Sequence, residues 1–146
     1  MTLNYKNIDI NYTDNGEGSC LVFLHGFLED LTMWDPFIEQ LSIKNRIVCI
    51  DLLGHGQTGC LGYVHTMETM ADAVLAVLNH LKLKKYTLFG HSMGGYVALA
   101  LAEKDPQSIA GISLINSTSY ADSDERKKNR DRAIHAVKQN HKLFYL

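Results

Sequence analysis

Proline is nearly absent from this sequence. The two residues present, Pro36 and Pro106, each follow an aspartate and mark element boundaries, not a proline-rich linker. Cysteine is also sparse. Cys20, Cys49 and Cys60 form an odd set without metal-ligand spacing, which argues against a disulfide framework and against a metal site. Two of them fall in or beside apolar runs, where a free thiol acts as a small buried hydrophobe, and a reducing cytoplasm is the natural setting. No apolar run is long enough to span a bilayer, and the start Met1-Thr2-Leu3-Asn4-Tyr5-Lys6 is too polar for a signal peptide. Charge of one sign does not dominate either. A formal net charge of −2 gives no reason to expect nucleic acid or an anionic membrane as partner. Repeats and low-complexity tracts are missing, and 146 residues suffice for one core.

What remains is a regular alternation of short apolar runs and helix-like stretches. Asn7 to Tyr12 alternates polar and apolar, the period of a strand with one wet face, and Asp14-Asn15-Gly16-Glu17-Gly18 reads as a turn. Cys20–Leu24, Arg46–Ile50 and Ile109–Ile115 read as buried strands, the first without alternation and so buried on both faces, and Tyr86–Gly90 is a further apolar strand. Between them, Asp35-Pro36 opens a helix running to about Leu41, with Asp35 expected as the N-cap. Met67, Met70, Ala71, Val74, Leu75, Leu78 and Leu81 trace a helical stripe over about 66–81. The fold class is therefore α/β, with a mostly parallel sheet, flanking helices and right-handed connections. Near the C-terminus, Asp122 and Glu125 are spaced like a capping box ahead of a charged helix. Its Arg126, Lys127, Lys128, Arg130 and Arg132 read as a solvated face, while Ala133, Ile134 and Val137 form a weak apolar one. The chain then reaches the apolar Phe144-Tyr145-Leu146.

The most informative stretch is Phe89-Gly90-His91-Ser92-Met93-Gly94-Gly95-Tyr96. It is Gly-x-Ser-x-Gly entered from a strand and left through an alanine-rich helix, the context of a nucleophile elbow. Gly90 and Gly94 lack the Cβ atoms that would collide in so tight a turn. Two glycines and a serine at these offsets arise by accident in roughly a few per cent of chains of this length, so the flanking strand and helix carry the reading. An acyl-transfer site also needs two backbone N–H donors for a developing oxyanion. Met93 N, directly after Ser92, is one candidate; Phe27 N, in His25-Gly26-Phe27 after the first buried strand, is the other. His25 and His55 read as loop braces, His65 and His80 as ordinary positions, and His91 as pointing away from its neighbour Ser92. Gly54-His55-Gly56-Gln57-Thr58-Gly59 matches Gly-x-Gly-x-x-Gly, but no helix opens at its last glycine and Asp72 falls inside a helix. It therefore reads as a turn, and no nucleotide or other cofactor is expected.

In order and spacing, Leu24-His25-Gly26-Phe27, Asp51-Leu52-Leu53-Gly54-His55-Gly56 and Gly90-His91-Ser92-Met93-Gly94-Gly95 resemble three motifs of the α/β-hydrolase fold family. The resemblance covers essentially the whole chain as the N-terminal half of that fold. It implies Ser92 as nucleophile, Phe27 and Met93 as the oxyanion hole, residues 1–116 as core, and 117–146 as the beginning of a helical cap. A serine here resembles the esterases, lipases and related acyl hydrolases, and not the epoxide hydrolases or haloalkane dehalogenases, which use aspartate. Members that cleave carbon–carbon bonds or catalyse eliminations also use this serine. The family takes its triad acid and histidine from loops after two further strands, and the resemblance implies that this chain stops before them. Asp105, Asp122, Asp131, His135 and His141 follow Ser92, but no strand end would fix either histidine. The expectation is a partial serine hydrolase of small ester or acyl substrates with little activity alone. A non-catalytic binding member of the fold is the alternative. The strand at 109–115 would be an open sheet edge, so a homodimer or a missing C-terminal half is expected to complete the sheet.

Overall fold

The computed structural model describes residues 1–139. Six strands form one sheet in the order β1-β2-β4-β3-β5-β6: β1 (Thr2–Tyr5), β2 (Ile8–Asn15), β3 (Ser19–Leu24), β4 (Asn45–Ile50), β5 (Tyr86–His91) and β6 (Ile109–Ile115). The β1–β2 and β2–β4 pairs are antiparallel, and β4-β3-β5-β6 is parallel throughout. The helices are α1 (Asp35–Leu41), α2 (Met67–His80), α3 (Met93–Lys104) and α4 (Asp124–Gln139).

Alternation along the central strands divides the core in two. Val22, Leu24, Val48, Ile50 and Leu88 face one side and pack with Ala71, Val74, Val77 and Leu78 of α2 and Val97, Ala98 and Leu101 of α3. Phe23, Ile47 and Cys49 face the other, where Leu31 and Trp34 of a short 3₁₀ turn, with Ile38 and Leu41 of α1, cover them. With apolar residues needed on both faces, these strands carry continuous apolar runs. The parallel strands all end on one side, so the loops after β3, β4 and β5 meet there.

Several boundaries depart from the sequence reading. β1 carried no clear signal. It folds back on β2 through Lys6 and Asn7, both at positive φ (50° and 67°), as a two-residue hairpin turn requires. β2 continues to Asn15, so the turn begins at Gly16 (φ 78°) and not at Asp14. Asp14 is held in the strand by a two-pronged pair with Arg46 of β4, at 2.9 and 2.6 Å. Asp35 is the first residue of α1 and not its cap. Asp30 caps the preceding 3₁₀ turn, accepting from Thr32 N at 2.8 Å, and that turn runs into the helix. At α4 the Asp122–Glu125 capping box does not form. Ser123 Oγ accepts from Arg126 N at 3.3 Å, while Asp122 pairs with Arg130. β6 has the expected bounds and lies at the sheet edge as expected, but with Ala110 and Ile112 exposed it is not a buried strand. His141 and Phe144-Tyr145-Leu146 lie outside the described residues.

Candidate active site

β5 delivers the chain to Ser92, and α3 begins at Met93. Ser92 sits at φ 49°, ψ −109°, a region that L-residues occupy only when the surroundings impose it. Those surroundings are visible. Ser92 N donates to Ile115 O at 2.9 Å, and Ser92 O accepts from Gly95 N at 3.1 Å and from Ser117 Oγ at 2.8 Å. A Cβ on Gly90 would lie 2.6 Å from Gly95 Cα, and one on Gly94 would overlap the Leu24 and His25 carbonyls. Strand and helix therefore approach more closely at these two glycines than any other residue permits. Gly95 is a third such position, backed by Ser117. Met93 N–H belongs to the first turn of α3, where no intrahelical carbonyl is available and the helix dipole favours negative charge.

The loop after β3 supplies a second free donor. Glu29 N bonds Gly26 O at 3.4 Å, closing a four-residue turn with Phe27 and Leu28 at its centre, and Leu28 takes φ 60°. The second residue of such a turn has no bonding partner within it, and Phe27 N has none among the described residues. His25 is fully buried at the base of the loop. Its Nε2 accepts from Leu52 N at 2.9 Å, so Nδ1 carries the proton and donates to Gly26 O at 2.7 Å. Burial holds this imidazole below its ordinary pKa, and with both nitrogens engaged it is a brace and not a base. His55 likewise bonds Leu53 O at 3.1 Å, and its ring lies edge-on to that of Phe27.

Asp51, at the end of β4, pins the neighbouring loops. It is buried, and its carboxylate accepts from Leu31 N, Asn11 Nδ2 and Gln57 N, all within 2.9 Å. A Cβ on Gly56 would overlap that carboxylate. The Gly54–Gly59 run is thus a turn wrapped around an aspartate. The next helix opens only at Met67, so nothing there resembles a pyrophosphate cradle.

Phe27, Ser92 and Met93 line one cavity of about 500 Å³ with Met67 and Tyr96. Its remaining wall comes from α4, through Arg130, Ala133, Ile134 and Lys138. His135 is exposed and does not line it, and among the described residues no histidine is bonded to Ser92 Oγ. His91 turns aside to Glu29, at 2.8 Å from Nδ1 to Oε2. No group of three or more potential metal ligands occurs among the described residues. No described helix is long and apolar enough to cross a membrane. Two contributors escaped the sequence reading: Glu29 and the Ser117 hydroxyl. Glu29 lies three residues beyond Gly26, a spacing at which a carboxylate can reach back to a turn N–H. Ser117 Oγ is brought to Ser92 O only by tertiary packing.

A model of the alpha/beta hydrolase fold family matches residues 20–144. The chain belongs to the alpha/beta-hydrolase fold family. Among solved members, a thermophilic esterase from Thermogutta terrifontis with malate bound is 38% identical. It superposes with a TM-score of 0.85 over 95% of this chain and 52% of its own. Two curated members are also similar. The dihydrolipoyllysine-residue acetyltransferase component of the acetoin cleaving system of Pseudomonas putida is 38% identical over 109 residues, 74% of this chain and 30% of that protein. The (E)-2-((N-methylformamido)methylene)succinate hydrolase of Acinetobacter baylyi is 28% identical over 136 residues, 93% of this chain and 51% of its own length. The chain thus spans about half, or less, of the family members it matches. Esterases and other hydrolases are among them.

Proposed function

We propose that this chain carries the nucleophile and oxyanion-binding half of a serine-dependent hydrolase acting on small ester or acyl substrates. The observation that carries the reading is the backbone of Ser92. It is held at positive φ between glycines that admit no side chain, with its residue on the wall of a cavity of substrate size. Such strain at a serine is maintained only where the neighbouring packing over-determines it.

In the proposed reaction, Ser92 Oγ attacks the ester carbonyl carbon and gives its proton to a base. The carbonyl oxygen becomes an oxyanion held by Phe27 N and Met93 N. Collapse expels the alcohol, which takes up the proton, and leaves an acyl group on Ser92. Water then adds by the same route and releases the acid. Phe27, Met67, Met93, Tyr96, Ala133 and Ile134 would receive an apolar acyl portion, with α4 serving as the first helix of a cap. The base and its acid partner must come from outside the described residues. Without them, an oxyanion hole and binding alone give about 10³–10⁴-fold over water. The test is hydrolysis of short p-nitrophenyl esters by protein that includes the base and its acid partner. Turnover lost in Ser92→Ala supports the reading, and turnover that survives the substitution overturns it. Tight ligand binding with ester cleavage only at the uncatalysed rate would favour a non-catalytic binding member of the fold.

A further inference from the structure

We infer that Glu29 is a positioning residue that fixes the two proposed oxyanion donors relative to one another. The inference rests on the reading of Ser92 as nucleophile. One carboxylate oxygen, Glu29 Oε2, accepts from Gly26 N at 2.6 Å and from His91 Nδ1 at 2.8 Å. Gly26 immediately precedes Phe27, and His91 immediately precedes Ser92 and Met93. Both bonds are short and charge-assisted, the strong class of hydrogen bond.

The loop needs this external tie. The last ladder pairing between β3 and β5 joins Leu24 to Gly90, so both donors lie past the end of the sheet. The turn that presents Phe27 closes through a long 3.4 Å bond and places Leu28, a branched residue, at φ 60°. A turn with a poor closing bond and an unfavourable backbone angle does not hold its central N–H in place by itself. Glu29 bridges the gap where the ladder stops. Gly26 is shaped for the bridge: a Cβ there would lie 2.5 Å from Glu29 Oε2 and 2.9 Å from His91 Nδ1. The pair is half-buried, with Glu29 and His91 side chains 34% and 19% exposed, so the carboxylate reaches both donors without complete desolvation.

Removing an oxyanion donor outright costs about 10²–10³-fold in rate. Glu29→Ala displaces a donor and deletes none, so the expected loss is smaller, about 10–100-fold. The readout is inactivation by a fluorophosphonate of protein that includes the base and its acid partner, resolved into the maximal rate kinact and the half-saturating concentration KI. Glu29→Ala should lower kinact by that factor and leave KI within about twofold, because Glu29 itself does not line the cavity. Glu29→Gln keeps an oxygen that accepts from both donors, and should recover most of kinact. Gly26→Ala retains both side chains but forces them apart; it should reproduce the Glu29→Ala loss and so covers the case in which that variant fails to fold. Wild-type kinact in folded Glu29→Ala, or equal losses in Glu29→Ala and Glu29→Gln, overturns the positioning role while leaving the nucleophile in place. Absence of Ser92 labelling in the wild type removes both.

Discussion

Gly94→Ala tests the elbow where its physics can be worked in advance. Gly94 lies in the first turn of α3, so helix propensity alone would make alanine favourable by up to about 1 kcal/mol. Packing opposes it. The new Cβ would lie 2.7 Å from the Leu24 carbonyl carbon, and the oxygens of Leu24 and His25 would be closer still. Carbon atoms normally rest about 3.5–4.0 Å apart. The shortfall is about 1 Å against backbone of a central strand, which cannot rotate away as a side chain can. Overpacking of a well-filled core costs about 1–3 kcal/mol, and a backbone obstacle belongs at the upper end. The net expectation is a destabilisation of about 2 kcal/mol, roughly a 30-fold shift in the folding equilibrium. With a urea slope of about 2 kcal/mol per molar, the midpoint should fall by about 1 M. Gly62→Ala is the internal control: nothing lies within 4 Å of its Cβ site. That variant should stay within about 0.5 kcal/mol of wild type or gain slightly. A Gly94→Ala protein as stable as wild type would refute the claim that strand–helix contact, and not chance, selects glycine here.

Two further predictions concern titrating groups away from the nucleophile. The His25 imidazole titrates below its unfolded value because burial disfavours its charged form. The unfolded chain therefore binds a proton that the native chain refuses, and stability rises with pH across that window. Urea midpoints should accordingly fall as pH drops from about 7.5 to about 5.5. In His25→Gln that part of the slope should vanish; an unchanged slope would contradict the assignment. The thiols should separate by burial. Desolvation lifts Cys20 to about 11 and Cys49 to about 12, whereas Cys60 is exposed. One equivalent of a disulfide reagent should react quickly with native protein, at Cys60, and the other two only on unfolding. Fast reaction of three thiols in the native state would show a looser core.

The parts legible in the sequence were those governed by local rules. The runs at Cys20–Leu24 and Arg46–Ile50 had to be buried strands because they offer no polar face, and each forms at nearly those bounds; Ile109–Ile115 forms its strand, but not a buried one. The elbow was legible because strand, serine turn and helix all agree at Gly90–Gly94. The missed features depend on contacts distant in sequence. Asp14 reads as a turn former until Arg46 claims it from the neighbouring strand. Asp122 reads as part of a cap until Arg130 takes its carboxylate two turns along the chain. The edge position of β6 was expected, but its core-strand composition pointed to burial, and Ala110 and Ile112 are exposed. Glu29 could be placed on a loop but not opposite His91, because that pairing exists only once β3 and β5 lie side by side.

The central claim is that Ser92 is the nucleophile, and the most direct measurement is the site of covalent capture in protein that includes the base and its acid partner. Treatment with a fluorophosphonate should form one adduct per molecule, with loss of fluoride, and peptide mass spectrometry should map it to Ser92. Ser92→Ala should take up none. Labelling spread over several hydroxyls, or unchanged in Ser92→Ala, would contradict the account.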